Sequence, residues 1–351
     1  MYDDSSYKIK KMLLKEKNMK AAQLDKYDKN FQLIVRNVPV PDIKEDEVLV
    51  RVKEAAVNPL EKLIGTGSVK LIQDYSLPAT MGNELTGVVE NIGSKVTNFQ
   101  INDAVYSRLP LNQIGAFAEY VAVSADAISK IPANLDFKTG AAAPLTGLTA
   151  YQGLFEELEA KKGETVFIPG GSGSFGQLAI PIAKSIGLTV IVSGNSAARD
   201  RTLKLGADQY ISFETQNYWE LINDVDYVID TLGPNEFDRE LSVIKPGGRL
   251  LSLRTGPNKR FAVDHNFGFA KKQLFSLAGS KFDRKAEKKN VQYRFIFVRS
   301  DGSQLDELSK IIEKNNIVPA VDPTVFHIEN INDALDFVFN GRPQGKVLIT
   351  F

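Results

Sequence analysis

Short segments in which apolar and polar residues alternate occupy the first part of the chain. Residues 48–53, VLVRVK, show the alternation of a half-buried strand. Turn-forming pairs follow at short spacing, at Asn58-Pro59, Gly82-Asn83, Gly93-Ser94 and Asn102-Asp103. Up to about residue 132, this pattern predicts a lobe built mostly of β-strands.

The pattern changes after residue 135. Residues 139–158 are rich in Ala and Leu and predict a helix, and 174–186 place their apolar residues on one helical face. A helix is also predicted over 199–205. Short apolar runs that predict strands lie at 165–168, 189–192, 209–212, 225–230 and 249–253. Strands that alternate with helices indicate βαβ units and a parallel sheet, so the fold class is α/β.

The end of the chain is mixed. Tyr293, Phe295 and Phe297 alternate as in a strand, residues 303–315 predict an amphipathic helix, and 346–351 predict a closing strand. The sequence therefore predicts a β-rich part, then an α/β part, then a mixed part.

A glycine-rich turn lies between the strand at 165–168 and the helix at 174–186. Gly171, Gly173 and Gly176 form the pattern G-x-G-x-x-G, and Ser174 and Phe175 open the helix. In dinucleotide-binding folds the first glycine makes the turn, the second lets the backbone approach a pyrophosphate, and the third lets helix and strand pack closely. The turn predicts a dinucleotide site; the alternative is a strand–helix corner without a ligand.

The second strand of the α/β part indicates which dinucleotide binds. Sites for NAD usually place Asp or Glu at its end, where the carboxylate binds a ribose hydroxyl. Here Ser193, Asn195 and Arg199 follow that strand, and Asp200 already starts the next helix. These three side chains can donate hydrogen bonds to the 2′-phosphate of NADP, so NADPH is favoured over NADH. The alternative for Arg199 is a solvated helix residue.

Composition narrows the chemistry further. Lys+Arg and Asp+Glu are both 43, so the net charge is zero and a protein built mainly to bind nucleic acid is disfavoured. There is no Cys and there are only two His, which leaves no cysteine-ligated zinc site and no multi-histidine centre. No apolar run is long enough to predict a membrane span, and we expect a cytoplasmic protein.

Residues 1–18, MYDDSSYKIKKMLLKEKN, differ from the rest of the chain. They contain five Lys and no apolar core of a secretory signal. We expect that Met19 is the natural start and that this leader is disordered or belongs to an over-called upstream region. A basic amphipathic anchor is the alternative.

Nine segments occur in the order known from one enzyme family. They are VNPLEKLIGTG (57–67), GNELTGVVENIGSKVTNFQINDAVYS (82–107), GAFAEYVAV (115–123), AAAPLTGLTAY (141–151), GGSGSFG (170–176), LGAD (205–208), DYVIDTLG (226–233), KPGG (245–248) and GKVLITF (345–351). Through them the chain resembles the zinc-independent medium-chain dehydrogenase/reductases, especially the quinone oxidoreductase (zeta-crystallin-like) branch. The resemblance covers Met19 to Phe351.

The resemblance implies a domain organisation. A GroES-like catalytic domain would comprise residues 19–143 and 282–351, and a Rossmann NADP-binding domain would comprise 144–281. The active site would lie between them. A homodimer is implied by the same analogy.

One departure concerns zinc. Zinc alcohol dehydrogenases of this superfamily carry Gly-His-Glu and cysteine ligands, whereas this chain has Gly82-Asn83-Glu84 and no Cys. Asn is a poor zinc ligand, so no metal is expected.

The resemblance also implies roles for particular residues. Asn58 matches a family asparagine near the nicotinamide and the substrate, and Thr149 matches a threonine at the nicotinamide end; a turn-forming Asn-Pro and a helix-packing Thr are the alternatives. Ser252 and Arg254 follow a sheet strand, and loops at strand ends line such sites, so both are expected near the cofactor.

These observations predict an NADPH-dependent, zinc-free reductase. Without a metal to stabilise an alkoxide, reduction of quinones or α,β-unsaturated carbonyls is favoured over alcohol oxidation. Where some family quinone reductases carry tyrosines, this chain has Leu63, Ile64 and Val69, which favours an alkenal or enone substrate. One alternative is a non-catalytic or moonlighting protein that binds nucleotides or RNA through the basic, aromatic stretch Lys281–Arg299, although the aromatic residues favour a buried sheet face there. An alcohol dehydrogenase is a third alternative.

Overall fold

The computed structural model describes residues 18–351, which fold as two units. The first comprises residues up to 145 together with 299–351, and the second comprises 146–298. The first boundary lies close to the predicted one. The second lies after Val298 rather than after residue 281, because the strand Gln292–Phe295 pairs with the sheet of the second unit. The leader prediction falls on residues 1–17, outside the described residues, except for Asn18.

The first unit is rich in strands, as predicted. Its strands are β1 (Asn18–Leu24), β2 (Ile34–Pro39), β3 (Glu47–Val57), β4 (Ala79–Thr80), β5 (Glu84–Ile92), β6 (Ala104–Arg108), β7 (Tyr120–Ser124), β8 (Ile128–Lys130), β15 (Phe326–His327) and β16 (Val347–Thr350). Its helices are α1 (Pro59–Gly65), α2 (Phe137–Ala141), α10 (Gly302–Lys314) and α11 (Ile331–Asn340).

Two sheets organise these strands. The larger runs in the order β15-β16-β3-β5-β6-β8, with β7 also paired to β3, and the smaller runs β2-β1-β4. The long strand β3 is central because it pairs with β5, β7 and β16, always antiparallel. The last strand of the chain therefore completes a sheet that the first part of the chain begins.

The second unit carries one parallel sheet with helices in its connections. Its strands are β9 (Thr165–Ile168), β10 (Thr189–Gly194), β11 (Gln209–Ser212), β12 (Val225–Asp230), β13 (Ile244–Ser252) and β14 (Gln292–Phe295). Its helices are α3 (Pro144–Gln152, which begins at the boundary), α4 (Ser174–Ile186), α5 (Arg199–Lys204), α6 (Tyr218–Leu221), α7 (Phe237–Ser242), α8 (Lys259–Asp264) and α9 (Phe269–Lys288). The strand order β11-β10-β9-β12-β13-β14 is the doubly wound order of dinucleotide-binding folds, so the predicted fold class is confirmed.

One predicted helix is divided. Residues 139–158 form α2, then α3, then a π-helical turn over Gly153–Glu157. Pro144 explains the first break, because proline has no amide hydrogen and its ring clashes with the preceding helical turn. Among residues 18–351, no helix is long and apolar enough to cross a membrane.

The core of the second unit centres on Phe237. Its side chain is fully buried, and its ring lies 4.9 Å from that of Phe282 and 5.2 Å from that of Tyr293. These contacts join α7 to α9 and β14. Three aromatic residues of the basic stretch Lys281–Arg299, namely Phe282, Tyr293 and Phe295, thus belong to this core or pack against it, as favoured from the sequence.

Replacement of Phe237 by Ala is expected to lower the free energy of unfolding by about 3–5 kcal/mol, since it leaves a large cavity between three elements. Phe213→Ala is the matched control because that ring is 64% exposed. Thermal melts should show a clearly lower Tm for Phe237→Ala alone. Equal melting temperatures for the two variants would contradict this description of the core.

Candidate active site

The glycine-rich turn joins β9 to α4. A Cβ atom on Gly176 would lie 1.7 Å from the carbonyl oxygen of Gly171, so the helix can start this close to the strand only with glycine there. A Cβ atom on Gly173 would meet only the oxygen of Gly170, at 3.8 Å. The space beside this residue is therefore open to a ligand.

The first turn of α4 faces that ligand space with its backbone amides. Gly173 is the N-cap residue and has no side chain to accept their hydrogen bonds, and Ser174 at the first position is exposed. Uncapped amides at the start of a helix of this length bind anions, aided by the helix dipole. The turn thus fits the pyrophosphate of a dinucleotide.

A buried carboxylate orders two further loops of the same unit. Asp230, at the end of β12, accepts hydrogen bonds at Oδ1 from the backbone amides of Leu232 (2.8 Å) and Gly233 (2.6 Å). Its Oδ2 atom accepts from Ser252 Oγ (2.5 Å) and Thr255 Oγ1 (2.8 Å). Asp230 therefore fixes the loops that follow β12 and β13, which lie at the ligand-binding edge of such sheets.

Ser252 and Arg254 lie on one of these loops. Ser252 is fully buried, and its hydroxyl oxygen also accepts a hydrogen bond from the amide of Arg254, at 3.1 Å. Ser252 thus supports the loop, while the side chain of Arg254 is exposed. Contact of either residue with a cofactor stays a prediction.

The buried acid Glu240 lies near the same carboxylate. Burial, followed by the charge of Asp230, raises the pKa of Glu240 to about 10. Glu240 is consequently protonated at neutral pH.

The end of β10 holds the three residues predicted to select NADPH. Ser193 is buried, and its Oγ atom accepts a hydrogen bond from the amide of Gly170 at 3.3 Å. Asn195 caps a short helical turn through its side-chain oxygen. Arg199 is exposed and forms an ion pair with its neighbour Asp200 at 3.4 Å. The three therefore lie at the expected strand end, and their contact with a phosphate stays a prediction.

Two residues at this corner were missed from the sequence. Arg201 Nη2 donates a hydrogen bond to the carbonyl oxygen of Ser172, in the glycine-rich turn, at 3.0 Å. Tyr210 Oη donates to the carbonyl oxygen of Asn195 at 2.6 Å. A Cβ atom on Gly194 would lie 2.3 Å from both Ser172 Oγ and Tyr210 Oη, so these polar atoms meet above the strand end. The signal in the sequence was only an arginine two positions beyond Arg199.

A second polar cluster is buried in the first unit. Lys346 Nζ donates hydrogen bonds to Glu84 Oε1 (2.9 Å) and to Asn58 Oδ1 (2.7 Å). Asn58 Nδ2 donates to the same Glu84 oxygen (2.9 Å) and to the carbonyl oxygen of Ala56 (3.3 Å). The other oxygen of Glu84 accepts from the amide of Leu145 at 2.7 Å. Glu84 and Lys346 thus form a buried, hydrogen-bonded ion pair, which the sequence analysis missed.

Asn58 is therefore engaged at both ends of its amide. A direct contact of its Nδ2 atom with a substrate carbonyl stays a prediction, and it would replace one of the two present hydrogen bonds. Thr149 lies half-buried on α3, in the other unit. Its predicted contact with the nicotinamide likewise stays untested.

Glu61 extends the cluster. Its Oε2 atom accepts from the amide of Asn58 (2.6 Å), and its Oε1 atom accepts from Asn83 Nδ2 (2.7 Å). Full burial raises the pKa of Glu61 from its ordinary value of 4.5 to about 7. Asn83 Oδ1 has no partner, so a turn of the amide lets this oxygen accept a hydrogen bond from the O–H group of neutral Glu61. The cluster accommodates both charge states of Glu61.

Comparisons with known proteins agree with both units. The model for the alcohol dehydrogenase GroES-like domain matches residues 44–133, and the model described as zinc-binding dehydrogenase matches 205–349. The 2-methylene-furan-3-one reductase of Solanum lycopersicum is 32% identical over 325 residues, covering 89% of this chain and 74% of that protein. The chain therefore belongs to the medium-chain dehydrogenase/reductase family, as the resemblance implied.

Other relatives and a solved structure extend this result. The chloroplastic NADPH-dependent alkenal/one oxidoreductase of Arabidopsis thaliana is 30% identical over 89% of this chain and 74% of that protein. The structure of the quinone oxidoreductase from Coxiella burnetii superposes with a TM-score of 0.80 at 26% identity, over 95% of this chain and all of that chain.

The side chains present do not fit the zinc ion that one family description implies. Asn83 stands where the zinc enzymes have a ligating histidine, and its side-chain nitrogen already donates a hydrogen bond to Glu61. The carboxylate of Glu84 already accepts a hydrogen bond from the ammonium group of Lys346. Within residues 18–351, no group of three His, Cys, Asp or Glu side chains forms a ligand set. The full chain has no Cys.

The pKa of Glu61 predicts a pH effect on stability. Because the folded-state pKa is about 7 and the ordinary value is 4.5, the folded protein holds an extra proton between them. The free energy of unfolding should therefore be highest below this interval and should decrease by about 3 kcal/mol as the pH rises through it. Glu61→Gln, which copies the neutral acid, should remove that decrease.

Thermal melts from about pH 5 to about pH 8 measure this effect. Glu45→Gln serves as the matched control, since that side chain is exposed in an ion pair with Lys95. The control should keep the wild-type decrease. A wild-type dependence retained in Glu61→Gln would show that another group causes it.

Proposed function

We propose that this protein is an NADPH-dependent reductase that acts on quinones or on α,β-unsaturated carbonyl compounds and works without a metal. The observation that carries the proposal is Asn83 in place of the zinc-ligating histidine, hydrogen-bonded to Glu61, in a chain that keeps an open glycine-rich dinucleotide turn. The enzyme class is that of an oxidoreductase. The activities for which the three similar proteins are named support the same reaction type.

The side chains available as metal ligands limit which reactions the site can catalyse. Oxidation of an alcohol requires stabilisation of an alkoxide, for which family members use zinc, and these side chains do not provide ligands for it. A conjugated carbonyl is already electrophilic, so it requires only orientation and hydrogen bonds to the oxygen that gains charge. When bound, NADPH supplies the hydride, and water supplies the proton that completes the reduction.

The residues divide into groups with different tasks. Gly171, Gly173 and Gly176 shape the turn that binds the pyrophosphate. Asp230 orders the loops beside it. Asn58 and Thr149 are proposed to contact the substrate and the nicotinamide.

Alternative functions receive less support. Lys285, within the basic stretch proposed for RNA binding, forms an ion pair with Asp238, so part of that charge is already neutralised. We also infer a homodimer, by family analogy alone. A cytoplasmic location remains the expectation from the sequence. The alcohol dehydrogenase alternative requires metal ligands that the described residues of the first unit do not offer.

Loss of the absorbance of NADPH tests the function directly. Phenanthrenequinone, benzoquinone and a linear alkenal are the substrates, with NADH in place of NADPH and EDTA as controls. We expect turnover that EDTA does not affect. Gly173→Ala should fold normally, because its Cβ atom meets no protein atom closely, yet it should bind NADPH poorly. Tight NADPH binding without reduction of any substrate would contradict the proposed reaction.

The corner formed by Arg201 and Tyr210 predicts the cofactor preference. Arg201→Met should reduce the NADPH-over-NADH ratio of kcat/KM about tenfold, the value of one charge-assisted hydrogen bond to phosphate. Arg199→Met is the matched control and should change the ratio less, since Arg199 pairs with Asp200. A larger effect in the control would restore the assignment made from the sequence.

A further inference from the structure

Arg108, the last residue of β6, is fully buried in the first unit. Arginine is rarely buried so completely unless its charge is paired. Burial lowers the pKa of Arg108 to about 10, which still leaves the guanidinium charged at neutral pH. The groups around Arg108 would therefore be expected to supply a counter-charge and hydrogen-bond acceptors.

The hydrogen bonds of Arg108 are incomplete. Nη1 donates to the carbonyl oxygen of Leu109, whereas Nε and Nη2 are buried and have no partner. Nε and Nη2 form one edge of the guanidinium plane, with two parallel N–H groups. Such an edge matches the two oxygens of a carboxylate.

The neighbouring carboxylates do not fill this edge. Glu84 and Glu61 both influence Arg108 electrostatically, but their oxygens accept from Lys346, Asn58, Leu145 and Asn83, as described above. Glu84 is already neutralised by Lys346. Since the pKa of Glu61 is about 7, Glu61 supplies only a partial counter-charge near neutral pH. The two cations Arg108 and Lys346 thus outweigh the charge of the two carboxylates Glu84 and Glu61.

A second partnerless group lies in the same surroundings. Tyr75 Oη is buried without a hydrogen-bond partner, and the charge of Arg108 acts on its hydroxyl. Burial raises the pKa of Tyr75 to about 12, so it remains a neutral donor. Residues 73–76 have no regular secondary structure, which allows this segment to adjust to a ligand.

We propose that Arg108, assisted by Tyr75, binds a carboxylate carried by the substrate, so that enones bearing an acid group are the preferred substrates. This inference rests on the proposed function and names its substrate class. A planar anion with two acceptor oxygens would balance the charge of Arg108, accept hydrogen bonds from its Nε and Nη2 atoms, and accept one from the hydroxyl of Tyr75.

Two matched enones test the preference. Acetylacrylate and methyl propenyl ketone share one enone and differ by a carboxylate in place of a methyl group. The kcat/KM for acetylacrylate divided by that for methyl propenyl ketone should be about 10- to 100-fold lower in Arg108→Met than in the wild type. The readout is the change in this ratio between the two proteins, because the difference in intrinsic reactivity between the two enones cancels in that comparison. Arg108→Lys, which keeps the charge but loses the edge, should give a smaller fall.

Thermal melts of Arg108→Met and Arg108→Lys, compared with that of the wild type, check that each variant is folded, and Arg108→Lys, which keeps the buried charge, carries the test if Arg108→Met does not fold. Arg36→Met is the control, because Arg36 pairs with Asp25 at the surface of the same unit, at 2.6 Å. It should leave the ratio unchanged. An unchanged ratio in Arg108→Met would overturn the proposal.

A binding measurement separates this inference from the proposed reaction. Levulinate, the saturated product of acetylacrylate, should raise the Tm of the wild type but not that of Arg108→Met. Methyl propyl ketone should not discriminate between the two proteins. If no enone is reduced while levulinate still stabilises only the wild type, the reaction is wrong and the carboxylate site stands. Equal stabilisation of both proteins would refute the site.

Discussion

The buried ion pair between Lys346 and Glu84 is the contact on which the first unit depends. It joins residues 262 positions apart, and both side chains are almost completely shielded from water. Loss of one partner from such a pair typically costs about 3–5 kcal/mol, because the remaining charge stays buried. The pair therefore couples closure of the sheet by β16 to the placement of Asn58, which binds both members.

The same pair separates this chain from the metal-dependent members of its family. Asn83 stands where those enzymes have a zinc-ligating histidine, and it belongs to a buried hydrogen-bond network with Glu61, Asn58, Glu84 and Lys346. Arg108 and Tyr75 each leave buried hydrogen-bond donors without partners there, beside the unpartnered acceptor Asn83 Oδ1. Donors suit a carbonyl or carboxylate oxygen, which agrees with a reductase of conjugated substrates.

Local patterns predicted much of the fold. The turn at Gly171–Gly176 and helix α4 lie where the spacing placed them, since a glycine pattern and an apolar helix face depend on neighbouring residues alone. The end of the second unit was misplaced because β14 joins its sheet through pairing with β13, a contact between distant residues. The same reason explains why the sequence did not predict the Lys346–Glu84 pair, the burial of Arg108 or the hydrogen bonds by which Asp230 orders two loops. An isolated charged residue in the sequence usually indicates a solvated surface, and only the fold shows that these are buried.

A metal-free reductase of conjugated carbonyl compounds delivers hydride to a carbon of the double bond. The most direct measurement uses NADPH deuterated at the transferred position, chelator-treated enzyme of verified metal content, and methyl propenyl ketone, with the product analysed by mass spectrometry and NMR. We expect one deuterium on the carbon β to the carbonyl of a saturated ketone. Deuterium on a carbinol carbon, or activity that returns only with added zinc, would contradict it.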